Sequence, residues 1–198
     1  KIRNLSEENL EMARGEIGFV GLGIMGKPMV RNLMKADYSV TVYDIVAESV
    51  EELATDGAIA ASSAAEVASN NPIVITMVPD SPQSEAAILG PGGVLEGASE
   101  GDTVIDMSSI APASSQKIAA ACEEAGVNFL DAPVSGGETG AIDGTLAVMV
   151  GGKKDIFDAN FDIMSAMSGS IVLCGPYGAG NTTKLANQII VAGNIAAL

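Results

Sequence analysis

The residues that could do chemistry fall into three groups. In the first, Gly21-Leu22-Gly23-Ile24-Met25-Gly26 follows an apolar run and opens a segment with helical spacing. Gly21 allows a tight turn, Gly23 lets the backbone approach a pyrophosphate, and Gly26 lets helix pack on strand, while free N–H groups at the helix start face the phosphates. Asp44 ends the next apolar run, 18 residues beyond Gly26, where a carboxylate can accept both hydroxyls of an adenosine ribose. A glycine turn can also be a plain connector, and Asp a plain cap. The strand before the motif and the acid after it together favour a bound dinucleotide. Ile45, Val46 and Ala47 follow with no cation to neutralise a ribose 2′-phosphate, so NAD is expected over NADP.

The second group is Asp131-Ala-Pro-Val-Ser135-Gly136-Gly137, where a hydroxyl and open backbone N–H groups at a strand end could hold a carboxylate without a large cation. A glycine-rich surface turn is the plain alternative, but ligands in open α/β sheets lie at the carboxyl ends of strands. The third is Asn181-Thr-Thr-Lys184-Leu-Ala-Asn187-Gln188. With Asn181 as cap, Lys184 falls in the first turn, and Asn187 and Gln188 share its face. The positive helix end and partial burial would both lower the Lys184 pKa toward a range useful for proton transfer. An exposed first-turn lysine is the plain alternative.

The chain has 198 residues, 47% hydrophobic and 18% charged, enough for one sizeable core. Short Val- and Ile-rich runs at Glu16–Gly21, Ser39–Asp44, Ile73–Val78, Thr103–Met107, Val127–Asp131, Leu146–Val150 and Ser170–Cys174 read as buried strands. Helical spacing marks Ile24–Ala36, Ala47–Thr55, Ser62–Ser69, Ser84–Leu89, Pro112–Ala125 and Lys154–Met167. This alternation predicts an α/β fold, a Rossmann-like, doubly wound and mostly parallel sheet spanning 16–177. Lys1–Gly15 is polar, without an initiating Met or a signal-peptide core, and reads as an extension outside the fold. From 178 to 198 the pattern is a helix cut short, with Leu185, Ile189, Ile190 and Ile195 along it.

Composition also excludes. A net charge of −15, with no basic residue and thirteen acids between Ala36 and Gln116, argues against nucleic acid and against an anionic membrane face. The uncharged stretch Leu185–Leu198 is only 14 residues long, too short to span a bilayer. Zero histidines remove His-based acid/base chemistry and His-ligated metals, so no metal is expected and any base must be another residue. Cys122 and Cys174 sit far apart in apolar surroundings, which suits two buried thiols in a reducing compartment, by default the cytoplasm.

The three groups, in this order, resemble the β-hydroxyacid dehydrogenase family over Glu16 to the last residue. The resemblance implies a nicotinamide dinucleotide on Gly21, Leu22, Gly23, Ile24, Met25, Gly26 and Asp44, with Met77-Val78-Pro79 and Ser109 along the cofactor. It also implies a substrate carboxylate on Ser135, Gly136 and Gly137, a catalytic Lys184, and Asn187 beside it on the substrate side. Gln188, where many members carry Asn, points to reversible hydride transfer between NAD and D-glycerate, giving 2-hydroxy-3-oxopropanoate. Another β-hydroxy acid, or a dinucleotide-binding module without turnover, remains an alternative. Family members continue into an all-helical second domain that adds a lysine and much of a dimer interface, which makes 178–198 the start of an interdomain helix and a homo-oligomer the expected assembly.

Overall fold

The computed structural model describes residues 15–196, so the extension expected at Lys1–Gly15 lies, apart from Gly15, outside the described residues. In chain order the elements are β1 (Glu16–Val20), α1 (Gly26–Lys35), β2 (Ser39–Tyr43), α2 (Ala47–Thr55), β3 (Ile59–Ala60), α3 (Ala64–Asn70) and β4 (Ile73–Thr76). Next come α4 (Ser81–Leu89), α5 (Val94–Gly97), β5 (Thr103–Asp106), α6 (Pro112–Glu124), β6 (Asn128–Asp131), β7 (Val134–Ser135) and α7 (Gly137–Asp143). The chain then runs through β8 (Leu146–Gly152), α8 (Lys154–Ala159), α9 (Phe161–Ser165), β9 (Ser168–Gly175) and α10 (Ala179–Ala196). The sheet order is β3-β2-β1-β4-β5-β6-β8-β7, with β9 on β8.

From β3 to β6 every pairing is parallel, and β8 then runs antiparallel to β6 and β7. Alternation along each strand feeds two cores. Phe19, Ile75, Ile105 and Leu130 stand in register on one face, beneath Met29 and Leu33 of α1. Val74, Val104 and Phe129 occupy the other, with Val67 of α3, Ile88 of α4 and Ile118 and Cys122 of α6. A parallel sheet covered on both sides needs such continuous apolar strands. From β1 the chain winds out to β2 and β3, then returns to β4 on the opposite side, so the winding reverses between β1 and β4. That switch point leaves a crevice outside the strand ends.

Three details depart from expectation. The helix expected over Lys154–Met167 is two, broken at buried Asn160, whose Nδ2 donates to the Ile156 carbonyl at 2.8 Å and competes with the backbone ladder. The glycine-rich turn after Ser135 becomes α7, held by Asn32 of α1, whose Nδ2 donates to the Ala141 carbonyl at 2.7 Å. Cys122 is buried, but Cys174 is only half-buried, because β9 pairs on one side only and leaves its residues partly in solvent. Among the described residues no helix is long and apolar enough to cross a membrane.

Gly18 belongs to the same register row as Val74, and a Cβ there would lie 2.4 Å from Val67 Cγ1. Val67 is β-branched and has few rotamers to yield with. Gly18→Ala should therefore lower unfolding free energy by about 1–3 kcal/mol, read by urea denaturation, through the overpacking that pushes α3 off the sheet.

Candidate functional site

At the switch point the chain passes close to itself. Gly21, at φ +100°, has the Met77 carbonyl 2.2 Å from where a Cβ would stand, and Gly26 has the Gly21 carbonyl at 1.9 Å. Any side chain at either position would break the turn. Around Gly23 nothing lies within 4 Å of a would-be Cβ, so its backbone is open to an incoming group. No side chain caps α1, which leaves its first turn free to meet an anion.

Asp44 Oδ2 accepts the Leu22 N–H at 2.5 Å and Oδ1 the Val46 N–H at 2.8 Å, which fixes the carboxylate at the lip of the glycine turn. Leu22 itself is in the core, so its contribution to the site is that N–H and not its side chain. Ile24, Ile45 and Val46 are exposed beside Asp44. A cleft of about 850 Å³ runs over the turn, bounded by Gly21, Gly23, Asp44, Val78, Pro79 and Ser109. Its far wall is tied down by side-chain bonds: Ser108 Oγ accepts the Val78 N–H at 2.9 Å, and Asp106 Oδ1 accepts from Thr76 Oγ1 at 2.9 Å and from Ser108 N–H at 3.0 Å. Burial pushes the Asp106 carboxyl above the usual carboxylate range, against these donors. The open glycine backbone, the uncapped helix and the fixed carboxylate fit a dinucleotide.

A second cavity of about 750 Å³ adjoins the first, and Met25, Met77 and Ser109 line both. It contains Ser135, Gly136, Gly137, Lys184 and Gln188. Asn187 is absent from its wall; its Nδ2 donates to Ser135 Oγ at 3.4 Å and so ties α10 to the Ser135 turn from outside. The lysine is 8% exposed, and among the described residues it forms no ion pair, whereas Lys27, Arg31, Lys117, Lys153 and Lys154 each pair with an acid. Burial lowers its pKa.

The expected capping role of Asn181 is overturned. α10 begins at Ala179, which moves Lys184 into the second turn, so burial and not the helix end lowers its pKa. Asn181 is instead an interior clamp, 1% exposed, whose Oδ1 accepts the Ile110 N–H at 3.0 Å and whose Nδ2 donates to Ser115 Oγ at 3.0 Å. Asp131 has a role that its place in the sequence does not signal. It is buried, accepts the N–H groups of Gly178 at 2.7 Å and Asn181 at 3.0 Å, and holds the head of α10 against the sheet. Burial raises its pKa, those two donors opposing the shift. The glycines at 178 and 180 were the available signal: a Cβ on Gly180 would meet the Met149 carbonyl at 2.4 Å.

Comparison with known proteins agrees with this geometry. Residues 16–175 match the profile of the NAD binding domain of 6-phosphogluconate dehydrogenase. The chain is 43% identical to 2-hydroxy-3-oxopropionate reductase of Escherichia coli K12, over 92% of this chain and 62% of that protein. It is 42% identical to an NAD-dependent L-serine dehydrogenase of Pseudomonas aeruginosa, over 89% of this chain and 59% of the relative. A solved structure of Mycobacterium tuberculosis 3-hydroxyisobutyrate dehydrogenase with L-serine superposes with a TM-score of 0.86 at 35% identity, covering 90% of this chain and 60% of that one. The chain thus spans about three-fifths of the length of the relatives it matches. With its glycine turn, its switch-point cleft and this match, the chain carries an NAD-binding domain and belongs to the β-hydroxyacid dehydrogenase family.

Proposed function

We propose that the protein carrying this chain is an NAD-dependent dehydrogenase that interconverts D-glycerate and 2-hydroxy-3-oxopropanoate. The observation that carries the reading is Lys184, buried without a counter-ion among the described residues, in a cavity that shares a wall with the dinucleotide cleft. When bound, the nicotinamide donates or accepts the hydride. Lys184 supplies the proton: protonated, it gives one to the developing alkoxide during reduction; neutral, it takes the hydroxyl proton during oxidation. Ser135 Oγ and the Gly136 and Gly137 N–H groups hold the distant carboxylate, and Asn187 fixes that turn relative to the lysine.

The relatives differ chiefly at C2 of their named substrates. The E. coli protein's named 2-hydroxy-3-oxopropionate carries a hydroxyl there, L-serine an ammonium, and 3-hydroxyisobutyrate a methyl group. Gln188, on the cavity wall, supports the hydroxylated acid. We read 16–177 as the NAD-binding domain and 178–198 as the start of a helix leading into a second domain, in a cytoplasmic homo-oligomer. Leu185, Ile189, Ile190 and Ile195 are all exposed around α10, apolar surface of the kind that drives association.

Lys184→Ala should depress turnover by roughly 100-fold or more, whereas Ser135→Ala should act mainly on KM. Because neutral lysine is the base, oxidation should accelerate as pH rises through the lowered Lys184 pKa, and reduction should slow over the same range. An Ala variant with near-normal turnover and unchanged pH dependence would reduce Lys184 to a packing residue. NADH should bind well ahead of NADPH in a fluorescence titration, and Asp44→Ala should weaken NADH and narrow the gap, since it removes both a ribose acceptor and a repulsion of phosphate. Sedimentation at high concentration should give dimers or larger species; a clean monomer would remove the association argument.

A further inference from the structure

The cavity that holds Lys184 is also lined by one acidic residue, Asp80. Asp80 is the only acid on that wall among the described residues, and Lys184 the only cation. It caps the head of α4, with Oδ1 accepting the Ser81 N–H at 2.7 Å. No lysine or arginine of the described chain pairs with it. Its position is fixed from the next residue, because Ser81 Oγ accepts the Ala111 N–H at 3.0 Å and pins the start of α4 to the loop after Ser109. An exposed, unpaired carboxylate is therefore presented to the cavity from a rigid support.

A short β-hydroxy acid has few atoms by which to be told apart. With its carboxylate on the Ser135 turn and its C3 oxygen at Lys184, the only remaining variable position is C2. We propose that Asp80 reads the C2 substituent and selects a hydrogen-bond donor there, a hydroxyl or an ammonium, against methyl or hydrogen. The inference rests on the dehydrogenase reading above. A donor at C2 gains a charge-assisted bond to the carboxylate, while a methyl group displaces water from Asp80 and offers nothing in return. A site built around a polar partner discriminates by the group it would leave unpaired.

The test compares kcat/KM with NAD for D-glycerate, L-serine, 3-hydroxyisobutyrate and 3-hydroxypropionate in the protein that carries this chain, as wild type and as Asp80→Ser. Serine keeps a capping oxygen for the helix and removes the carboxylate. The preference for D-glycerate or for L-serine over 3-hydroxypropionate should fall about tenfold in the variant, the loss of one charge-assisted hydrogen bond at an exposed site. The two arms separate a hydroxyl from an ammonium as the donor read. If neither ratio moves, or if the wild type prefers 3-hydroxyisobutyrate to both donor-bearing acids, the assignment is wrong. A wild type that turns over none of the four refutes the dehydrogenase reading instead. The role of Asp80 is then decided by quenching of NADH fluorescence with D-glycerate and 3-hydroxypropionate, where an affinity ratio equal in wild type and variant overturns it.

Discussion

A carboxylate buried in a parallel sheet has to be met by donors, and Asp131 is met by the two backbone N–H groups at the head of α10. Leaving such a group unpaired costs several kcal/mol, so the helix cannot slide or tilt away from the sheet without exposing that cost. Glycines at 151 and 180 keep the space around the carboxylate free of side chains. Asn181 then carries the constraint across to the Ile110 loop and to α6. Lys184 is three residues further along the same helix, so its place in the cavity is set by an acid it does not pair with. This is preorganisation in a literal sense: the cost of burying the acid is met at folding, before any ligand enters.

The dinucleotide cleft depends on a different constraint, the near contact of two strand ends. Gly21 and Met77 approach because β1 and β4 are adjacent while their helices leave on opposite faces, and only glycine fits at the meeting point. Asp106, buried behind Met77, ties the next two strand-end loops together through Thr76 and Ser108. The floor of the cleft is thus assembled from three strands, each contributing one short loop held by polar bonds to its neighbour.

Much of this was legible in the sequence, and the reason it was legible differs from place to place. Strands such as β1 and β5 are apolar enough on both faces to stand out unaided. β3 and β7, two residues each, carry no periodicity of their own and exist because a longer neighbour pairs with them. α7 was hidden because its glycines read as a turn, whereas Asn32 from α1 holds it helical at a distance of 109 residues in sequence. The glycine turn and Asp44 were readable because their spacing is itself the geometry. Asn181 was misassigned because an amide before an apolar run looks the same whether it caps a helix or bridges two loops from within one, and only the position of Ile110 distinguishes them.

Met25, Met77 and Ser109 belong to two cavities at once, so the wall between them has no side that answers to a single ligand. Two of the three are methionines, which change shape at little cost. A molecule that shifted this wall from one chamber would change the volume of the other. Two ligands that each press on this wall would have linked affinities, and the linkage would be reciprocal: the factor by which one alters binding of the other equals the factor in the opposite direction. Through such a soft partition the two chambers would behave as one thermodynamic unit, and a change at Met77 would be felt from both sides.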